Sequence, residues 1–87
     1  MKIKKGFVVK QVAGQDVVIA LGAASKIFNG IIKLNESGRF IWDRLAQGMD
    51  RDAIVGALLD EYDIDAETAG RDVDNFIEQL KGANILE

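Results

Sequence analysis

Two of the side chains that most often do covalent or metal chemistry are missing from this chain of 87 residues, which has no His and no Cys. Without imidazole or thiol there is no Cys or Ser–His nucleophilic pair, no disulfide, no zinc site of the usual ligand types and no common haem ligation. No cofactor and no catalytic residue is expected. Carboxylates remain, and the run Asp60-Glu61-Tyr62-Asp63-Ile64-Asp65-Ala66-Glu67 could turn alternate oxygens toward a hard cation such as Ca²⁺. The fit is poor, because no Gly stands at the sharp-turn position and apolar Ile64 interrupts the run. The run is expected to be a solvated helix junction with an N-cap, and no metal is assigned. Phe28, Phe40, Trp42 and Phe76 could stack on bases, but with only 7% aromatic residues they are expected in the core. The glycines match neither GxxxxGK[ST] nor GxGxxG, so they are read as turns.

The elements that would position any site follow from punctuation and periodicity. Phe7 to Val12 and Asp16 to Leu21 are short β-branched segments separated by Ala13-Gly14-Gln15, which predicts a hairpin with Gly in its turn. Gly22 to Gly30 is read as a connection whose Ile27 and Phe28 are too apolar to stay in water, and Ile31 to Leu34 as a third strand. Asn35, Asp50 and Asp65 each suit a helix N-cap. Behind them, apolar residues recur at helical spacing: Phe40, Ile41, Trp42 and Leu45; then Ile54, Leu58 and Leu59; then Ala69, Val73, Phe76, Ile77 and Leu80. Gly48 and Gly82 are expected to end the first and third helices. The fold class is therefore α+β, a three-stranded antiparallel sheet followed by three helices, in one domain over residues 1–87.

Charge narrows the partners. Residues 1–49 hold 8 Lys and Arg against 3 acids, whereas residues 50–78 hold 2 Arg against 10 acids. DNA-binding helices are usually basic, and here the helical half is the acidic one, so no nucleic acid is expected. The N-terminal stretch lacks the apolar run of a secretory signal, and nothing approaches a membrane span of roughly 20 apolar residues. A soluble protein in the cytoplasm is expected.

Two features stay open on pattern alone. Gly70 lies inside the third helix, where Gly costs about 0.5–1 kcal/mol relative to Ala. At about 100° per residue it falls with Asp74, Ile77 and Lys81 on one shoulder of the apolar stripe, while Asp72 and Gln79 lie on the other. A small residue on a shoulder lets another backbone approach, or it is ordinary packing. The short third strand, if at the sheet edge, has free N–H and C=O groups that could accept an extended peptide, or it is a protected edge without function.

The segments GIIKLNESGRFIWDRLAQG and RDVDNFIEQLKGANIL resemble the PqqD-like family, small peptide-binding domains also called RiPP precursor-peptide recognition elements. The pattern is a strand ending in Leu34-Asn35, then Gly38, Ile41-Trp42, Leu45, Tyr62, Asp72-Val73, Phe76-Ile77, Leu80 and Ile85-Leu86. The resemblance implies a winged helix-turn-helix-like fold that binds a precursor's leader peptide as an added strand. It also implies that the domain presents the peptide to a maturation enzyme, often a radical S-adenosylmethionine enzyme, and catalyses nothing itself. Carried onto this chain, the binding strand is Gly30, Ile31, Ile32, Lys33 and Leu34, and the facing helix shoulder is Gly70, Asp74, Ile77 and Lys81 or its opposite. The group that serves pyrroloquinoline quinone synthesis usually carries Pro-Glu before the third strand and Asp-Gly after the first helix. This chain has no Pro, and Gln47-Gly48 in place of Asp-Gly, so another modified peptide is the expected product. The rival readings are a winged-helix DNA-binding regulator and a homodimer that self-associates through the strand edge.

Overall fold

The computed structural model describes residues 2–26, 28 and 30–87. The chain runs β1 (Phe7–Val12), β2 (Gln15–Ala20), a 3₁₀ turn (Gly22–Lys26), β3 (Ile32–Leu34), α1 (Glu36–Ala46), α2 (Arg51–Glu61) and α3 (Ala66–Gly82). The expected α+β order is present, with the sheet antiparallel in the order β1-β2-β3. The hairpin closes through Ala13 and Gly14 alone, since Val12 pairs with Gln15. Both turn residues have positive φ, 54° and 79°, as a two-residue reversal of matching twist needs.

β3 is shorter than the sequence suggests. Its register runs Asp16↔Leu34, Val17↔Lys33 and Val18↔Ile32, so Gly30 and Ile31 precede the strand, and Ile31 is 61% exposed. Phe28 packs near Phe7, with ring centroids 6.2 Å apart. Ile27, also expected in the core, lies outside the described residues.

The three expected caps form as read. Asn35, Asp50 and Asp65 accept from the backbone N–H of Gly38, Ala53 and Thr68 at 2.7, 2.8 and 2.7 Å. Gly48 follows α1 at φ 86°, whereas Gly82 is the last residue of α3 and the left-handed turn is made by Asn84 at φ 61°. Beyond it the tail returns to the start of the chain. Lys4 N–H donates to Ile85 O at 2.8 Å, Glu87 N–H donates to Lys2 O at 2.7 Å, and Ile3 bridges Leu86. One apolar core joins the inner sheet face, through Val18, Ile32 and Leu34, to Ile41, Trp42, Leu45, Ile54, Leu58, Val73, Phe76 and Leu80 of the helices. Trp42 and Phe76 thus belong to the core, as expected.

Candidate peptide groove

Alternation along β3 buries Ile32 and Leu34 against the helices and leaves Lys33 exposed. β3 is the last strand of the sheet, so its outer edge carries backbone groups without a strand partner among the described residues. Alongside lies an open groove of about 460 Å³. Lys33 and Leu34 border it on the strand side, Asp72, Asn75, Phe76 and Gln79 of α3 on the helix side, and Asn35, Ser37, Gly38 and Ile41 at its base.

Gly38 lets these parts converge. A Cβ at this position would stand 3.0 Å from Asn35 Oδ1, 3.4 Å from Phe76 Cε1 and 3.7 Å from Leu34 Cδ2. The helix cap, the α3 ring and the strand side chain therefore meet over a residue without a side chain, with Leu34 and Phe76 supplying the apolar part of the floor. The helix-side rim is polar, with amides from Asn75 and Gln79 and a carboxylate from Asp72. Such a surface can hydrogen-bond an extended backbone at the strand edge and take alternate side chains against Phe76 and Leu34.

The sequence-assigned residues divide. Lys33 and Leu34 line the groove and Ile32 is the buried first residue of the same paired strand, while Gly30 and Ile31 lie beyond the paired strand. The Gly70 shoulder turns elsewhere. A Cβ on Gly70 would lie 3.0 Å from Arg51 Nη2, and Arg51 holds Asp74 in a two-pronged pair at 2.9 and 3.0 Å, so this flank faces α2. Arg51 also holds the Asp74 carboxyl below the usual carboxylate range. Ile77 is buried in the core, and Lys81 stands exposed 3.9 Å from Glu78. Asp72 and Gln79, on the alternative shoulder, are the ones at the groove. Sequence reasoning passed over Asn75, Ser37 and Gln15 as lining residues. Asn75 had a signal, because it falls one turn from Asp72 and Gln79 on the same helical flank.

Among the described residues no group of His, Cys, Asp and Glu is arranged to hold a metal, and no helix is long and apolar enough to cross a membrane. A second recess of about 470 Å³ between the N-terminal lysines and the end of α1 lacks an open edge at its backbone, where Lys2 and Lys4 already pair with the C-terminal tail.

No curated protein matches the chain. Two solved structures share its fold. "TbiB1 in Complex with the TbiA(beta) Leader Peptide" is 29% identical with a TM-score of 0.80, covering 100% of this chain and 95% of its own. "Lasso peptide synthetase B1 complexed with the leader peptide" is 21% identical with a TM-score of 0.75, covering 98% and 93%. The family described as Coenzyme PQQ synthesis protein D matches residues 16–86, nearly the whole stretch from the second strand of the hairpin to the tail, and the chain belongs to this PqqD family.

Proposed function

We propose that the chain binds the leader of a ribosomally made precursor peptide as a strand added to β3 and presents it to a maturation enzyme, without catalysing a reaction itself. The observation that carries this reading is the free edge of β3 lying along a groove walled by α3, in a fold whose 29% identical neighbour is described in complex with a leader peptide. The peptide site is Ile32, Lys33 and Leu34 with Asp72, Asn75, Phe76 and Gln79. The Gly70 and Asp74 flank is left out of it, since it is taken up by α2. The setting assigned is the cytoplasm, and the maturation enzyme is of the radical S-adenosylmethionine type or another peptide-modifying class. A DNA-binding role has little support, because α3 carries Glu67, Asp72, Asp74 and Glu78 against Arg71 and Lys81, the wrong balance for phosphate contacts.

Amide shift mapping by NMR during titration with the leader of a precursor encoded beside this chain's gene tests the proposal. Shifts at residues 32–34 and at Asp72, Asn75, Phe76 and Gln79 are expected. Shifts centred on Gly70 and Asp74 would move the peptide to the α2 side, and shifts confined to the β1–β2 hairpin would overturn strand addition at β3.

A further inference from the structure

We infer that the strand added to β3 is read by charge on alternate residues: acidic side chains on the face it shares with Lys33, neutral or basic ones on the face that meets Asp72. This rests on the leader-binding reading above and says which peptides that site takes.

The two faces of the sheet differ in sign at its edge. The register sets Lys10 beside Val17 and Val17 beside Lys33, so a row across the outer face reads Lys10, Val17, Lys33. Its remaining strand residues are Val8, Val12, Gln15 and Ile19, with no carboxylate among them. Val17 is only 4% exposed though it lies outside the main core, and neither lysine is ion-paired among the described residues. Side chains alternate along an added strand too, and a residue opposite Lys33 on the same face would have its Cβ about 4.5–5.5 Å away. A Glu or Asp there meets an unpaired ammonium.

The neighbouring residues of the same peptide turn the other way, into the groove. There they meet the apolar floor of Leu34 and Phe76, and on the helix wall Asp72, which also has no cation partner among the described residues. A carboxylate entering on that side faces a like charge, whereas an apolar, amide or basic side chain does not. The edge thus sorts peptides by the parity of their charges rather than by net charge.

Each exposed cross-strand pair should change Kd by roughly 1.5- to 5-fold, declining as salt is raised. The test begins with random peptides displayed on phage and selected against the full chain, with each binder's site placed by amide shifts. A groove-bound peptide is then rewritten with Glu or Lys at every position in turn and titrated into wild-type, Lys33→Glu, Lys33→Gln, Lys10→Glu and Asp72→Asn proteins. Glu is expected to be favoured at alternate positions. That preference reverses with Lys33→Glu, disappears with Lys33→Gln, and survives Lys10→Glu, whose charge is separated from the peptide by two intervening strands; Asp72→Asn relieves the penalty at the intervening positions. Groove-bound peptides with no alternation, or with an alternation indifferent to Lys33→Glu, would overturn the charge rule and leave the leader-binding reading standing. Failure to recover any peptide that maps to the groove would overturn both.

Discussion

At Gly70 the missing side chain makes room for the guanidinium of Arg51, which crosses α3 to reach Asp74. The obstacle a Cβ would meet is the far end of a flexible side chain, so it can yield. Gly70→Ala gains about 0.5–1 kcal/mol of helix propensity and puts at risk only an exposed pair of about 0.2–1 kcal/mol. The net expectation is a stabilisation of about 0.5 kcal/mol, seen as a thermal midpoint about 2–4 °C higher, with peptide affinity unchanged. A lower midpoint, or a Gly70→Leu protein that folds but loses the peptide, would show that this flank is more than a seat for α2. The same pair gives a pH signature. Arg51 depresses the Asp74 carboxyl by hydrogen bonding and charge, and the Thr68 backbone N–H depresses Asp65. A carboxyl lowered in the folded state binds fewer protons there than in the unfolded chain, so its contribution is complete above the ordinary pKa of about 3.9 and is lost as pH falls through the folded value. Thermal midpoints should therefore drop below about pH 4, and the drop should be shallower in Asp74→Asn.

The junction of β3 and α1 shows how much one element's start matters to the groove. Asn35 ends the strand, caps the helix through Gly38 N–H, and accepts from Ser37 Oγ at 3.1 Å. Asn35→Ala should cost about 1 kcal/mol. Gly38→Ala should also destabilise, even though Ala is the better helix former, because its Cβ meets the cap oxygen at 3.0 Å and the Phe76 ring at 3.4 Å, and neither is a free end. Denaturant unfolding of both variants checks this. A Gly38→Ala protein as stable as wild type would mean the groove floor can move aside. The three N-caps were legible because capping is local: a polar side chain three residues before a free N–H suffices. The short β3 was not, since its length is set by how far β2 can pair with it, and that register stops at Ile32. The flank of α3 that faces β3 was equally hidden. Periodicity marks the buried stripe, but the choice between its shoulders was made by Arg51, a residue on another helix. The hairpin's left-handed Ala13 left no composition signal, because Ala seldom takes that conformation.

For the whole molecule the net charge of −3 matters less than its distribution, with lysines on the sheet side and acids along the two C-terminal helices. Duplex DNA should show no binding at physiological salt of about 0.15 M, because α3 would set carboxylates against phosphates. A sequence-specific shift in a gel assay at that salt would reopen the regulator reading. The bridge between Ile3 and Leu86, with the hydrogen bonds Lys4 to Ile85 and Glu87 to Lys2, brings residues from opposite ends of the described chain side by side. In topological terms the polypeptide is nearly a ring: a short join there would close it at little strain, and new ends could be opened at the exposed Ala13-Gly14 turn, whose residues do not themselves line the groove. For the same reason, the fold could be spliced into a loop of a larger protein with both connections leaving from one place, and the β3 edge would stay open to its strand.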